Sequence, residues 1–287
     1  MIAHEAVLLF TDHLLTAERS QKTVIGYQSD LRNFERFYER KYNGPWYVED
    51  TTREDVEEYI AFLKHDRGLG PATRNRILFG IRSFFRFLIQ KEICSVNVAD
   101  HMEPVRYAKR ERMHVPEDNL EPFIAHISHP VIQAAAYTLF YTGLRISECV
   151  NLTMQNVDFA SNCIRVINGK GKKNRTVPIA DKLFPILDTY RETYRSHATA
   201  KERFFATETT GRLSPSYFNH VLFRTSQSLG MEKVTAHMLR HSFATSLVQR
   251  GVNVVQIQKL LGHSSLTVTS VYTHATLDDL SQAVNRL

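Results

Sequence analysis

The residues of this chain that could carry chemistry are concentrated in four segments of its second half. These are TGLRISE at 142–148, NGKGKKNR at 168–175, AHMLRHSFAT at 236–245 and LGHSSLTVTSVYTH at 261–274. Arginine suits phosphate oxygens because its guanidinium stays charged and donates paired hydrogen bonds. Histidine and lysine can transfer protons, and tyrosine can act as a nucleophile. The set suits phosphoryl transfer, although each segment by itself is ambiguous.

Each segment also has an ordinary structural interpretation. Arg145 follows a glycine that ends an apolar helix, and taken alone it is typical of a surface or salt-bridged arginine. The lysine-rich segment lacks the spacing and the Lys-Ser/Thr ending of a Walker loop, so a nucleotide site is weakly indicated. His237 and His241 are four residues apart, but Met238 stands where the zinc-protease pattern requires glutamate. Tyr272, about two turns into a predicted helix, is typical of a half-buried packing residue.

The order of the segments is more informative than any one of them. The succession Arg…Lys…His-x-x-Arg…His…Tyr closely resembles the active-site motifs of the tyrosine recombinases, also called the phage integrase family. The layout is most similar to Xer recombinases and transposon-encoded tyrosine resolvases. In the first hundred residues a spaced set looks like the family's core-binding helix bundle: Thr23, Tyr27, Asp30, Leu31 and Phe34.

The resemblance implies how the reacting phosphate is held and attacked. Arg145 and Arg240 would clamp the non-bridging oxygens of a DNA phosphate, and His263 would donate a hydrogen bond to the same oxygens. Tyr272 would attack the phosphorus and form a 3′-phosphotyrosyl link. Because a free phenol has a pKa of about 10, that attack requires a base and positive surroundings. His237 matches the family's acid–base histidine.

The resemblance also implies a proton donor and a supporting carboxylate. Lys170 matches the hairpin lysine that protonates the leaving 5′-oxygen. Lys172 and Lys173 are so near in sequence that the assignment among the three stays open, and these two are also expected to contact DNA. Glu148 matches an acidic position that orients Arg145 or a histidine.

Further implications concern partners and cofactors. The expected partner is double-stranded DNA with inverted recognition half-sites, bound by four copies of the chain and, in some systems, by a second recombinase. The chemistry requires no cofactor, whether metal or ATP. The task would be dimer or cointegrate resolution, or integration and excision. Two rival functions remain open: a DNA-binding protein that no longer catalyses, and a topoisomerase-like enzyme that reseals one duplex without exchange.

Composition agrees with a globular, DNA-binding protein. The 287 residues are 43% hydrophobic and 23% charged, with a net charge of +6. No apolar run reaches the roughly 20 residues that cross a bilayer, and the N-terminal segment does not resemble a signal peptide. Cys94, Cys149 and Cys163 lack metal or redox spacing. We therefore expect a cytoplasmic protein without a membrane partner.

The hydrophobic periodicity predicts a mainly helical chain in two domains. Residues 1–100 are expected to form a helical core-binding domain of the SAM-like type, and 101–115 an interdomain linker. Residues 116–287 are expected to form a mixed α/β catalytic domain with a C-terminal tail helix. One β-hairpin is predicted around Asn168-Gly169, because Ile164 and Val166 before it, and Val177 and Ile179 after it, alternate with polar residues.

One predicted helix of the first domain has an unusual charge pattern. From Arg67 to Lys91 the sequence has six basic residues and no acidic one, along a helical apolar stripe. Arg74, Arg76 and Arg82 in this stretch are therefore candidates for contacts with DNA phosphates. The structural alternative is an ordinary solvated helix face.

Overall fold

The computed structural model of the chain describes residues 1–108, 117–167 and 174–262. The chain divides into two compact units, Met1–Arg110 and Glu111–Leu287. The described residues are mostly helical, with one three-stranded antiparallel sheet in the second unit. The expected fold class is confirmed. Within these ranges, each helix is too short or too polar to cross a membrane.

The first unit contains helices α1 (Ala3–Thr16), α2 (Gln21–Tyr42), α3 (Arg53–His65) and α4 (Pro71–Gln90). Two of them begin at polar N-cap residues. The Ser20 hydroxyl accepts a hydrogen bond from the Thr23 amide at 3.2 Å. Thr52 and Asp55 cap α3 reciprocally, with N–O distances of 3.3 and 2.9 Å. These bonds satisfy amides that a first helical turn leaves open, so nearby residues set both helix starts.

Aromatic side chains form much of the core of the first unit. Phe34 meets Trp46 edge to face, with ring centroids 4.9 Å apart, and it also packs on Tyr59. The buried indole of Trp46 donates a hydrogen bond to the Thr51 hydroxyl at 2.7 Å. Its one polar atom is thereby satisfied, so the ring can be buried at little cost.

The chain after α4 folds back along that helix. The Asn75 side chain pairs with the backbone of Val105 through two hydrogen bonds of 2.9 Å. Met102 belongs to the hydrophobic core of the first unit. The chain after α4 therefore packs against the first unit as far as Val105.

The second unit contains helices α5 (Glu117–Ala125), α6 (Pro130–Thr142), α7 (Ile146–Cys149), α8 (Phe184–Tyr194), α9 (Pro215–Ser228), α10 (Ala236–Gln249) and α11 (Val254–Leu261). Helix α6 is apolar on most sides, and α10 packs along it. Between α8 and α9 the chain is irregular, but Phe204 and Phe205 are fully buried there. The helical periodicity of the sequence does not indicate this irregular connection.

The sheet consists of β1 (Val157–Asp158), β2 (Cys163–Val166) and β3 (Arg175–Pro178), in that order. Ile164 lies opposite Val177, and both are buried. The predicted pairing of these two apolar stretches is confirmed. Strand β1 has only two residues, which is too short to show an alternating pattern, and the sequence did not indicate it.

A glycine at the end of α6 permits close packing around the site described below. Gly143 has φ +62°, and a Cβ atom at this position would overlap a ring carbon of Phe243 and lie 2.8 Å from a methyl carbon of Leu261. Neither contact is compatible with the observed packing. Helices α10 and α11 can therefore approach the end of α6 only because residue 143 has no side chain.

Replacing Gly143 with alanine is expected to lower the free energy of unfolding by about 2–5 kcal/mol, from left-handed backbone strain and overpacking together. Denaturant unfolding measures this loss. Gly230→Ala is the matched control, since Gly230 has φ +63° and an added Cβ atom there would meet nothing within 4 Å. It should cost only about 1–2 kcal/mol. Equal losses in the two variants would contradict the packing argument.

Candidate active site

Arg145 and Glu148 are held together where α6 gives way to α7. The left-handed Gly143 ends α6, and Arg145 is the extended residue that precedes α7. The Arg145 amide donates to one Glu148 carboxylate oxygen at 2.8 Å, and its Nη1 donates to the other at 2.8 Å. The carboxylate thus caps the short helix and fixes the guanidinium at once. The expected proximity of Glu148 to Arg145 is present.

A second arginine, Arg175, binds the same carboxylate. Its Nη1 and Nη2 donate to the two oxygens of Glu148 at 2.9 and 2.8 Å. Burial by itself would raise the pKa of Glu148, but the hydrogen bonds from Arg175 and Arg145 lower that pKa to about 2. Glu148 is therefore an anion throughout the physiological range.

Arg240 lies one helix away, on α10, and is almost fully buried. Its Nη1 donates to the carbonyl oxygen of Gly143, and its Nη2 donates to that of Leu261 at 2.8 Å. Only 4% of the residue is exposed. The two carbonyls belong to the ends of α6 and α11, so Arg240 joins these helix ends.

The end of α11 organises all three arginines. Three successive carbonyl oxygens accept from them: Leu260 from Arg175 Nε at 2.8 Å, Leu261 from Arg240 Nη2 at 2.8 Å, and Gly262 from Arg145 Nη2 at 3.3 Å. The last carbonyls of a helix have no partner within the helix and carry its negative dipole end. They therefore provide fixed, well-placed acceptors for cations. We call Arg145, Arg175 and Arg240 the arginine cluster.

The arginine cluster carries more positive charge than the carboxylate of Glu148 neutralises. Arg145 and Arg175 bind the single carboxylate of Glu148, and Arg240 binds backbone carbonyls beside them, which leaves two net positive charges among these four side chains. The side chain of Arg145 is 25% exposed and that of Arg175 is 12% exposed. Excess positive charge with limited access to water is well suited to bind an anion with several oxygens.

His237 lies on the same helix as Arg240, in its first turn. The Thr235 hydroxyl caps α10 by accepting from the Met238 amide at 3.4 Å, and His237 is exposed one turn before Arg240. Both residues thus lie on α10, within one turn of each other. Over residues 1–108, 117–167 and 174–262, no three His, Cys, Asp or Glu side chains form a group that could hold a metal ion.

Five predicted residues lie outside the described part of the chain: Lys170, Lys172, Lys173, His263 and Tyr272. So do the predicted hairpin turn and the tail helix. In the sequence, the lysine segment connects β2 to β3, and His263 directly follows Gly262. The described structure thus contains the arginine half of the predicted site.

Two of the three arginines proposed for DNA contacts on α4, Arg76 and Arg82, have hydrogen-bonding partners within the first unit. Arg76 forms an ion pair with Asp30 and remains about half exposed. Arg82 donates to the carbonyl oxygens of Ala99 at 2.9 Å and Met102 at 2.6 Å. Arg74 is buried. Arg76 and Arg82 therefore each have a structural role, and any DNA contact would come in addition to it, whereas the buried Nε of Arg74 has no hydrogen-bond partner among the described residues.

Sequence reasoning missed Arg175. It is the last basic residue of a lysine-rich stretch, and nothing in the local pattern separates it from its neighbours. The one clue is its place at the first position of a strand, next to the buried apolar side of the hairpin.

Comparison with known proteins shows which family the chain resembles, independently of the geometry of the site. The chain matches the sequence model of the phage integrase family at residues 115–278, and that of the phage integrase N-terminal SAM-like domain at residues 7–92. A tyrosine recombinase of Thermosipho africanus is 30% identical over 293 residues, which cover 99% of each chain. Tyrosine recombinase XerC of Anoxybacillus flavithermus is 31% identical, over 95% of this chain and 93% of its own length.

A solved structure shows the same fold. The Tn1549 transposon integrase, in complex with a circular intermediate DNA, superposes with a TM-score of 0.80 at 20% identity. The match covers 100% of this chain and 99% of the integrase chain.

Proposed function

Because the chain belongs to the phage integrase family of tyrosine recombinases, a class of DNA strand transferases, we propose that its arginine cluster holds a backbone phosphate of double-stranded DNA. The observation that carries this proposal is the fixation of three guanidiniums by the end of α11, against a single carboxylate. A phosphodiester repels nucleophiles because it is negatively charged. Preorganised cations at its oxygens lower the barrier to attack, and each of them raises the rate by on the order of 100–1,000-fold.

The reaction is a transesterification that conserves the energy of the phosphodiester. The phenol oxygen of Tyr272 attacks the phosphorus while the 5′-oxygen leaves, which gives a 3′-phosphotyrosyl link and a free 5′-hydroxyl. Arg145 and Arg240 hold the non-bridging oxygens, together with His263. His237 takes the phenolic proton. Attack by a 5′-hydroxyl on the phosphotyrosine reverses the step and rejoins the DNA.

The leaving 5′-oxygen requires a proton, which we assign to Lys170. Lys172 and Lys173 are the alternative donors, as the sequence indicates. A bridging 5′-thio substrate distinguishes them, because a thiolate leaves without protonation: it restores cleavage only to the variant that lacks the true donor.

The assembly we propose follows from the exchange of strands between two duplexes. The first unit binds DNA as a core-binding domain, in part through exposed cations of α4 such as Arg76. Two copies of the chain bind inverted half-sites and four copies join two duplexes, in some systems with a second recombinase. The recombination reaction takes place in the cytoplasm. The reaction serves either to resolve dimers and cointegrates or to integrate and excise a DNA element.

The experiment uses the DNA segment that the protein protects in footprinting on its own replicon. Two direct copies of this segment are placed in a supercoiled plasmid. A recombinase converts the plasmid into two smaller circles, each with one copy. Relaxation of supercoils without smaller circles would instead indicate a topoisomerase-like enzyme. Protection of the DNA with neither product would indicate a binding protein without activity.

A further inference from the structure

Arg175 is engaged through its whole guanidinium group. All three of its guanidinium nitrogens donate: two to the oxygens of Glu148 at 2.9 and 2.8 Å, and one to the carbonyl oxygen of Leu260 at 2.8 Å. Its side chain is only 12% exposed. A forked contact of this kind fixes direction as well as distance.

These contacts join three segments that are far apart in the sequence. Arg175 begins β3, directly after the lysine-rich segment. Glu148 lies 27 residues earlier and also binds Arg145, whereas Leu260 lies 85 residues later, at the end of α11. Each segment thus either contains or adjoins a residue of the proposed chemistry: Lys170, Arg145 and His263.

The turn after α11 is shaped around the same side chain. A Cβ atom at Gly262 would lie 3.0 Å from Arg175 Nη1 and 3.1 Å from its Cδ. Gly262 also has φ +64°, a conformation that side chains rarely adopt. Arg175 therefore packs directly against the backbone that leads into His263.

We propose that Arg175 is a positioning residue for DNA cleavage: it seats Glu148 against Arg145 and ties β3 to the end of α11, and so fixes the guanidinium that grips the phosphate. This inference rests on the proposed function and deepens it. Arg175 acts through Glu148 and the α11 carbonyls. Each of its three guanidinium nitrogens already donates to one of these groups, so we assign the phosphate to Arg145 and Arg240.

The alternative is that Arg175 only stabilises the fold, and pH dependence separates the two roles. In the wild-type protein the depressed pKa of Glu148, about 2, means that its stabilising contribution is lost only as the pH falls far below neutrality. Without Arg175, burial outweighs the remaining hydrogen bonds and the pKa of Glu148 rises. Protonated Glu148 releases Arg145, so the variant should lose cleavage at a higher pH than the wild type does.

The comparison is made between variant and wild type because His237 and the other titratable groups of the proposed chemistry are the same in both. Among the described residues, the charged groups that face Glu148 are Arg145, at the start of its own helix, and Arg175 from β3. Cys149, the next residue of α7, is fully buried, and burial raises the pKa of its thiol. Helix α11 presents backbone carbonyls to this cluster, and α6 presents the Gly143 carbonyl.

The test measures single-turnover cleavage of a nicked suicide DNA substrate against pH for Arg175→Met and Arg175→Lys. Methionine is unbranched and removes all three donor nitrogens. We expect its cleavage rate at neutral pH to be lower than that of the wild type by about 100-fold, because a small misplacement of reacting groups typically costs a factor of this size. Lysine keeps the charge, but one ammonium cannot span the three acceptors. We expect both variants to bind DNA like the wild type and to lose further activity as the pH is lowered.

Arg165→Met is the matched control. Arg165 lies on the neighbouring strand β2, is about half exposed and pairs with Asp158. This variant should keep the wild-type rate and pH profile. Thermal unfolding of each variant shows whether it is folded. If Arg175→Met does not fold, the test rests on Arg175→Lys alone.

The outcomes are distinguishable. If Arg175→Lys cleaves like the wild type at every pH, or if a folded Arg175→Met loses activity by the same factor at every pH, the positioning role is overturned and the proposed function stands. If the wild-type protein forms no cleavage product on DNA that it binds, the proposed function fails, and this inference fails with it.

Discussion

Replacing Arg240 with lysine is expected to slow DNA cleavage by on the order of 100–1,000-fold while leaving DNA binding nearly unchanged. The guanidinium of Arg240 bridges the carbonyls of Gly143 and Leu261 and lies almost fully buried. A lysine ammonium is charged as well, but it can neither bridge these carbonyls nor fork onto two phosphate oxygens. The substitution therefore keeps the positive charge at residue 240 but loses the paired hydrogen bonds that orient it.

The measurement compares the rate of covalent adduct formation with the affinity for the same DNA. Arg224→Lys is a suitable control, because Arg224 is an exposed arginine on α9 of the same unit. It should leave both quantities unchanged. If Arg240→Lys loses affinity in proportion to rate, Arg240 positions the DNA rather than stabilising the transition state, and its assigned role is wrong.

Local signals in the sequence were sufficient for two helix starts and for one strand pair. Ser20 and Thr52 mark helix starts because their hydroxyls bond to amides only three residues ahead. Ile164 and Val177 reveal their pairing because one face of the hairpin is buried. In each case the interaction that decides the structure lies within a few residues or follows a short period.

Interactions over long sequence distances were not accessible in this way. Nothing near Arg175 indicates a carboxylate 27 residues earlier or a helix end 85 residues later. The same holds for the segment after residue 100, where Met102 joins the core of the first unit and Val105 pairs with Asn75. A pattern in a short window cannot report which distant surfaces meet.

The candidate site was predictable to the extent that its motifs occur in a fixed order. That order predicted Arg145, Glu148 and Arg240 as members of one site, and the structure brings these three together around the ends of α6, α7 and α11. It did not predict how they are held. The acceptors are backbone carbonyls, and any residue type can supply a carbonyl.

The second large effect concerns the nucleophile. Tyr272→Phe removes one oxygen atom, and with it the only atom that can form the phosphotyrosyl link. We expect this variant to bind its target DNA like the wild type and to form no covalent adduct. Tyr194→Phe is the control, since Tyr194 is an exposed tyrosine at the end of α8, and it should form adduct at the wild-type rate.

The most direct test of the central claim is the covalent complex itself. A nicked suicide substrate carrying the protein's own target site traps the adduct, because the short fragment released by cleavage diffuses away and cannot rejoin. Under denaturing conditions we predict one DNA-linked protein species, whose DNA-bearing peptide contains Tyr272. An adduct that persists in Tyr272→Phe, or a DNA-linked peptide from elsewhere in the chain, would contradict the mechanism.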